Sequence, residues 1–280
     1  MKTKKINDKD IVLFEKYLIS NERSKATVEK YIRDVTYFKN YVSNCNFDKN
    51  KIIEYKNFLT TKYTLSSANS MIAALNSFLK FKGLTEFCVK LYVMQNKIYC
   101  SENIELSKDE YISLIRTAEK NKKQRLSLII QTICTTGIRI SELKFITIES
   151  LYKGEAIVSC KGKTRTVFLV KELRKRLLMY ANDKKIFSGP VFVTQNGNAV
   201  DRSNIWTEMK KLCIAANVSS SKVFPHNFRH LFARSFYEID KDIAKLSDVL
   251  GHSNINTTRI YIVSTGKEHM MKMENMELLV

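Results

Sequence analysis

Histidine is scarce in this chain, four in 280 residues, and none of the six cysteines forms a Cys-x-x-Cys pair. Cys45, Cys88, Cys100, Cys134, Cys160 and Cys213 are widely scattered. Zinc-ligand spacing is therefore missing, and reduced thiols in the cytoplasm are expected. No run approaches the roughly 18 apolar residues of a membrane-spanning helix. The start, Met1-Lys2-Thr3-Lys4-Lys5-Ile6-Asn7-Asp8, has basic residues but lacks the apolar stretch of a secretory signal. Internal repeats and low-complexity tracts are absent as well. What remains is a globular protein of one large or two modest domains, with no metal site or cofactor box.

Acidic side chains are outnumbered. Lys and Arg total 47 against 28 Asp and Glu, a net charge of +19. Residues 1–100 carry 18 basic and 9 acidic side chains, net +9; residues 101–280 carry 29 and 19, net +10. The charge is thus no tail. A lysine-rich surface without an acidic partner is the competing reading, but two basic lobes suit a polyanion, and could close on duplex DNA with salt-sensitive affinity.

The first hundred residues read as helices. One runs from about Asp8 to Ser20. Ser24 can cap a second, with Val28, Tyr31, Ile32, Val35, Phe38 and Val42 on one stripe. Asp48 opens a third with Ile52, Ile53, Tyr55, Phe58 and Leu59, and a fourth begins around Ser66 and stops at Gly83. Their apolar residues are expected to form a core. Periodicity fails near Asn96 to Glu105, which places a linker at about 97–104 between domains 1–96 and 105–280. Ser107 and Glu110 then have capping-box spacing, and a helix from about Gln124 to Thr135 follows. Residues 155–170 read as a hairpin turning at Gly162. A helix over 172–181, a short strand at 191–194, a turn at Gly197 and helices from Arg202 onward complete the pattern. The expected class is mainly α, with a small antiparallel sheet in the second domain.

Four stretches of the second domain carry chemistry: Thr136-Gly137-Ile138-Arg139-Ile140-Ser141-Glu142-Leu143, Lys161-Gly162-Lys163, Pro225-His226-Asn227-Phe228-Arg229-His230 and Leu250-Gly251-His252, with Tyr261 nine residues further on. Displacement at a phosphodiester needs charge neutralised on the non-bridging oxygens, a nucleophile, and a proton for the leaving oxygen. Arg139 and Arg229 suit the first task, being planar, bidentate and permanently charged. Glu142, three residues after Arg139, can orient it, although such a pair is more often a surface ion pair. Pro225 can open a helix that puts His226 and Arg229 on one face. His226 and His230 also have the spacing of metal ligands, but a zinc-protease motif needs Glu where Asn227 stands. His230 reads instead as a packed histidine behind the site. Lys161-Gly162-Lys163-Thr164 fails as a phosphate-binding loop, because its first glycine would fall at Ile157. A hairpin-tip lysine protonating a leaving oxygen fits better, and Lys161 and Lys163 both remain open for it. Cys134 and Cys160 lie near these stretches and read as small buried hydrophobes.

In this order and spacing the four stretches resemble the tyrosine recombinases of the phage integrase and Xer type, over nearly the whole chain. The resemblance implies a helical, SAM-like core-binding domain at 1–96 and a mainly helical catalytic domain at 105–280. It puts Arg139, Lys161, His226, Arg229 and His252 at catalytic positions, Tyr261 at the nucleophile and Glu142 at the supporting acid. Phe228 stands where Leu is usual, and the hairpin tip is one residue shorter than in the Xer enzymes. The implied activity is site-specific cleavage and rejoining of double-stranded DNA through a 3′-phosphotyrosyl link and a Holliday junction, without metal or other cofactor, for a mobile element or Xer-like resolution. The implied partners are DNA, three further copies in a tetramer, and an accessory or partner recombinase; the place is the cytoplasm, at the nucleoid. Residues 264–280, with Met270, Met271, Met273, Met276 and Leu278, read as an amphipathic helix. The resemblance has it dock on a neighbouring protomer, and packing on its own domain is the alternative. The expected departure from larger phage integrases is the lack of an arm-site-binding domain. A type IB topoisomerase and a DNA-binding regulator with a disused site are the alternative functions.

Overall fold

The computed structural model describes residues 4–43, 45–93, 105–160, 163–194, 197–252, 254–261 and 273–276. The chain divides into two compact units, Met1–Asn96 and Lys97–Val280, each with its own apolar core. The expected linker at 97–104 lies outside the described residues. No helix among the described residues is long and apolar enough to cross a membrane.

The first unit is built from α1 (Asp8–Ser20), α2 (Lys25–Tyr41), α3 (Lys49–Lys62) and α4 (Leu65–Phe81). Capping fixes where three of them begin. Ser24 Oγ accepts from Thr27 N at 3.4 Å and Asp48 Oδ1 from Lys51 N at 2.8 Å. The fourth helix starts at Leu65, one residue before the expected Ser66, because Thr64 caps it, accepting from Ser67 N at 3.4 Å. Between the helices lies an aromatic core. Phe38 meets Tyr55 edge-on at 4.8 Å and Phe47 at 5.4 Å between ring centroids, while Phe14 meets Phe78 at 5.3 Å. Ile53, expected in this core, is exposed. It follows Ile52, and neighbours one residue apart on a helix point about 100° apart, so only one can face inward.

In the second unit α5 (Lys108–Lys120) opens on the expected capping box: Ser107 N donates to Glu110 Oε2 at 2.9 Å, and Glu110 N to Ser107 Oγ at 3.1 Å. α6 (Gln124–Thr136) is the central rod, buried along most of its length and packed on all sides. Around it stand α5, α8 (Lys171–Asp183), α9 (Arg202–Ala216) and α10 (Pro225–Asp240). A short α7 (Ile148–Lys153) leads into β1 (Glu155–Cys160) and β2 (Lys163–Phe168). They pair antiparallel in the register Glu155 with Phe168 to Cys160 with Lys163. Ala156, Val158 and Val167 point into the core, as a period of two requires. α11 (Ile243–Leu250) and α12 (Ile255–Arg259) follow.

The strand expected at 191–194 is not formed; among the described residues this segment and Pro190 before it make isolated bridges, Val193 with Ala199 and Thr147 with Pro190. Val191 and Phe192 are buried all the same, and a short apolar run fills a core without a sheet partner. The C-terminal amphipathic helix falls largely outside the described residues.

Phe38→Ala should cost the first unit about 3–5 kcal/mol, the usual range for emptying a buried aromatic site. Hydrogen exchange at the amides of α2 and α3 measures it; unchanged protection there would contradict the packing.

Candidate active site

Local backbone chemistry delivers each polar group. α6 ends at Gly137, in the left-handed region at φ 63°. A Cβ there would stand 2.5 Å from Phe232 Cδ1 on α10, so glycine is required by both turn and contact. The chain then extends through Arg139 into a short 3-10 helix at Ile140–Phe145. Glu142 curls back from that turn. It accepts from the Arg139 backbone amide at 2.9 Å, from Arg139 Nη1 at 2.8 Å and from Arg165 Nη2 at 2.7 Å. This carboxylate is buried, not part of the surface pair that its spacing alone suggests. Burial works to raise its pKa, but the Arg139 amide and the two guanidinium groups hold it below the usual value.

α10 starts with Pro225 at its first position, as expected. His226, Arg229 and His230 follow on one face. Arg229 is 1% exposed, the largest fully buried side chain among the described residues. Its Nη1 donates to the Gly137 carbonyl, and its Nη2 donates to the Leu250 carbonyl at 2.7 Å and meets His252 Nε2 at 3.0 Å. Burial and the nearby Arg139 lower its pKa to about 10, so it remains a cation at neutral pH. Its Nε is buried without a hydrogen-bond partner.

α11 ends at Gly251, again left-handed at φ 66°. His252 follows, its Nδ1 2.8 Å from Thr258 Oγ1 on α12. Arginine can only donate. The contact with Arg229 therefore assigns an unprotonated Nε2 and a proton on Nδ1, given to Thr258. Burial, then Arg229, Arg139 and Arg165, push the imidazole down to about 4, so it is neutral.

The turn after α12 places Tyr261 at the centre of this group, 3% exposed. Its hydroxyl lies 3.4 Å from His226 Nε2 and close enough to the Arg229 guanidinium to interact with it electrostatically. Three imidazoles surround its ring: His230 at 4.3 Å, His226 at 5.4 Å and His252, stacked, at 5.4 Å. His230 is packed, as expected, and burial, with His226 and Arg229, lowers it to about 4. His226 is lowered too, by burial, Arg229 and Arg139.

Six of the seven singled-out residues thus converge: Arg139, Glu142, His226, Arg229, His252 and Tyr261. The seventh, Lys161, lies outside the described residues, as does the side chain of Lys163. Beside the cluster opens a cleft of about 670 Å³, lined by Arg139, His226 and Arg229 on one side and by Arg202, Ser203 and Trp206 of α9 on the other. The α9 residues went unnoticed in the sequence, although Trp206 is the only tryptophan and stands half-exposed near Lys210. Arg165 was missed as well; the signal available was its place among inward-facing positions of β2, level with Val167. Two guanidinium groups, Arg139 and Arg165, share the one carboxylate of Glu142, and Arg229 adds a third cation; the cluster is left electropositive, and an anion in the cleft would relieve the repulsion between Arg139 and Arg229.

The sequence pattern of the phage integrase family matches residues 105–268, and that of the family's N-terminal SAM-like domain matches residues 11–84. The tyrosine recombinase XerA of Pyrococcus horikoshii is 28% identical over 98% of this chain and 95% of its own. The tyrosine recombinase XerD of Staphylococcus aureus is 26% identical over 94% and 97%. Among solved structures, the Tn1549 transposon integrase in complex with transposon right end DNA shares the fold at a TM-score of 0.72 and 17% identity, covering 95% of this chain and 98% of that one. The chain belongs to the phage integrase family, and as a member it is a site-specific tyrosine recombinase. Neither the topoisomerase nor the disused-site alternative is favoured by these relatives.

An imidazole whose folded pKa lies below its ordinary 6.5 contributes stability that is complete above about pH 6.5 and is lost as pH falls toward 4. The unfolding temperature should therefore drop across that window, and His252→Gln should flatten the drop. NMR titration should show His230 and His252 protonating near pH 4; either titrating above 6.5 would contradict the burial described.

Proposed function

We propose that the cleft receives the scissile phosphate of double-stranded DNA and that Tyr261 attacks it. Arg139 and Arg229 neutralise the non-bridging oxygens, with His252 held beside them. As the Tyr261 oxygen forms its bond to phosphorus, its proton passes to His226 Nε2, which is unprotonated at neutral pH. The bond from phosphorus to the 5′ oxygen breaks, and Lys161 supplies that oxygen's proton, with Lys163 the alternative donor. The products are a 3′-phosphotyrosyl link and a free 5′-hydroxyl. The link keeps the energy of the broken ester, so a 5′-hydroxyl from a partner strand can reverse the step, through a Holliday junction, without ATP or a metal ion.

One observation carries this reading: the Tyr261 hydroxyl lies 3.4 Å from His226 Nε2 of the same chain, and His226 lines the electropositive cleft together with Arg139 and Arg229. The net charge of +19 supports a DNA partner. The unit before Asn96 serves as the core DNA-binding domain and residues 105–280 as the catalytic domain, joined at about 97–104. Recombination takes four copies on two sites, held together by the C-terminal segment at 264–280, with an accessory or partner recombinase where the element needs one. The place of action is the nucleoid in the cytoplasm, and the role is movement of a mobile element or Xer-like resolution.

Covalent capture on nicked duplexes drawn from DNA flanking the gene tests the reading. Wild type should give an adduct that survives denaturant and names the site by sequencing. Tyr261→Phe should give none while binding the same DNA; adduct formation by that variant would overturn the assignment. Adduct formation should also weaken on acidification, and only below the ordinary imidazole range, because burial, Arg229 and Arg139 lower His226; once protonated it can no longer accept a proton.

A further inference from the structure

Arg165 belongs to none of the steps above, yet its side chain bonds the supports of two groups they use, Arg139 and His252. Only 12% of it is exposed. From β2 its Nη2 donates to Glu142 Oε2 at 2.7 Å and its Nη1 to the Val249 carbonyl at 2.9 Å. Its stem lies along the turn after α11. A Cβ added at Gly251 would stand 2.3 Å from Arg165 Cδ and 2.8 Å from Nε, so the turn that presents His252 has glycine where this side chain passes.

The carboxylate and the carbonyl lie on separate segments, and only a rigid fork with several donors bonds both; a lysine ammonium is a point charge on a flexible stem. Glu142 also depends on this second cation. It is buried, and its other partner, Arg139, is 36% exposed and faces the cleft. Removing Arg165 would leave a buried carboxylate with half its compensation, free to pull the Arg139 guanidinium inward.

We propose that Arg165 is a positioning residue for strand cleavage: it holds Arg139, through Glu142, and His252, through the turn at Gly251, in the arrangement that meets the non-bridging oxygens of the scissile phosphate. This rests on the reading of the cleft as a DNA phosphate site.

The test compares single-turnover strand scission on two nicked duplexes of the captured sequence. One carries the ordinary scissile phosphate. The other carries a methylphosphonate, in which a methyl group replaces one non-bridging oxygen and the negative charge is gone. Arg165→Lys and Arg165→Met should slow scission of the phosphate about 10²–10³-fold, the scale of losing one oxyanion donor. Their deficit should shrink at least about tenfold on the methylphosphonate, because a neutral centre asks less of Arg139. Arg139→Ala, the reference, should show the same contrast. Gly251→Ala, which keeps the guanidinium but displaces its stem, should reproduce it, and circular dichroism melts would show each variant folded. An equal deficit on both substrates, as a general loss of structure would give, overturns the proposal, and so does wild-type scission of the phosphate by Arg165→Met. No scission by wild type on either duplex would sink the phosphate reading itself, and the proposal with it.

Discussion

The catalytic unit is organised around a guanidinium that has been taken out of water. Arg229 is almost wholly enclosed, and a charge in that position costs several kcal/mol unless polar groups replace its hydration. The replacements come from the ends of two other helices: the Gly137 carbonyl closes α6 and the Leu250 carbonyl closes α11. Helix C-termini are suited to this, because their last carbonyls lack partners within the helix and carry the negative end of the dipole. One cation on α10 thereby pins the ends of α6 and α11, and the groups that leave those ends, Arg139 and His252, are placed by it. Both ends carry a left-handed glycine, and both glycines are closely approached by a side chain from elsewhere, Phe232 at one and Arg165 at the other.

The same enclosure sets the protonation of the site. The guanidinium groups of Arg139 and Arg165 hold Glu142 ionised, while burial and the neighbouring guanidinium groups keep the surrounding imidazoles neutral at neutral pH. His252 is then an acceptor toward Arg229 and a donor toward Thr258, while His226 Nε2 lies 3.4 Å from the Tyr261 hydroxyl. Tyr261, the proposed nucleophile, is thus packed among neutral rings and close to cations, an environment that would favour negative charge on an entering phosphate and on the phenol oxygen.

Much of this was legible along the chain. Ser24, Asp48, the Ser107 and Glu110 box, and Pro225 act over four residues or fewer, so their helix starts follow from local chemistry. The motif order identified the family, and its residues converge as expected, with Lys161 outside the described residues. Less legible were Ile53, the segment at 191–194 and the depth of Glu142. Each depends on what packs opposite, which spacing does not record. Arg165 shows the limit plainly: its partners are 23 and 84 residues away, and in the sequence it is one basic residue among 47.

The sequence by itself determined the class of the fold, most helix boundaries, the basic surface and the set of reactive side chains, because these follow from periodicity, capping, composition and motif. Only the tertiary structure decided which cations are buried, which imidazoles are neutral and which residue supports which. Those properties arise from desolvation and from charges brought together across the fold, and neither exists until distant segments pack.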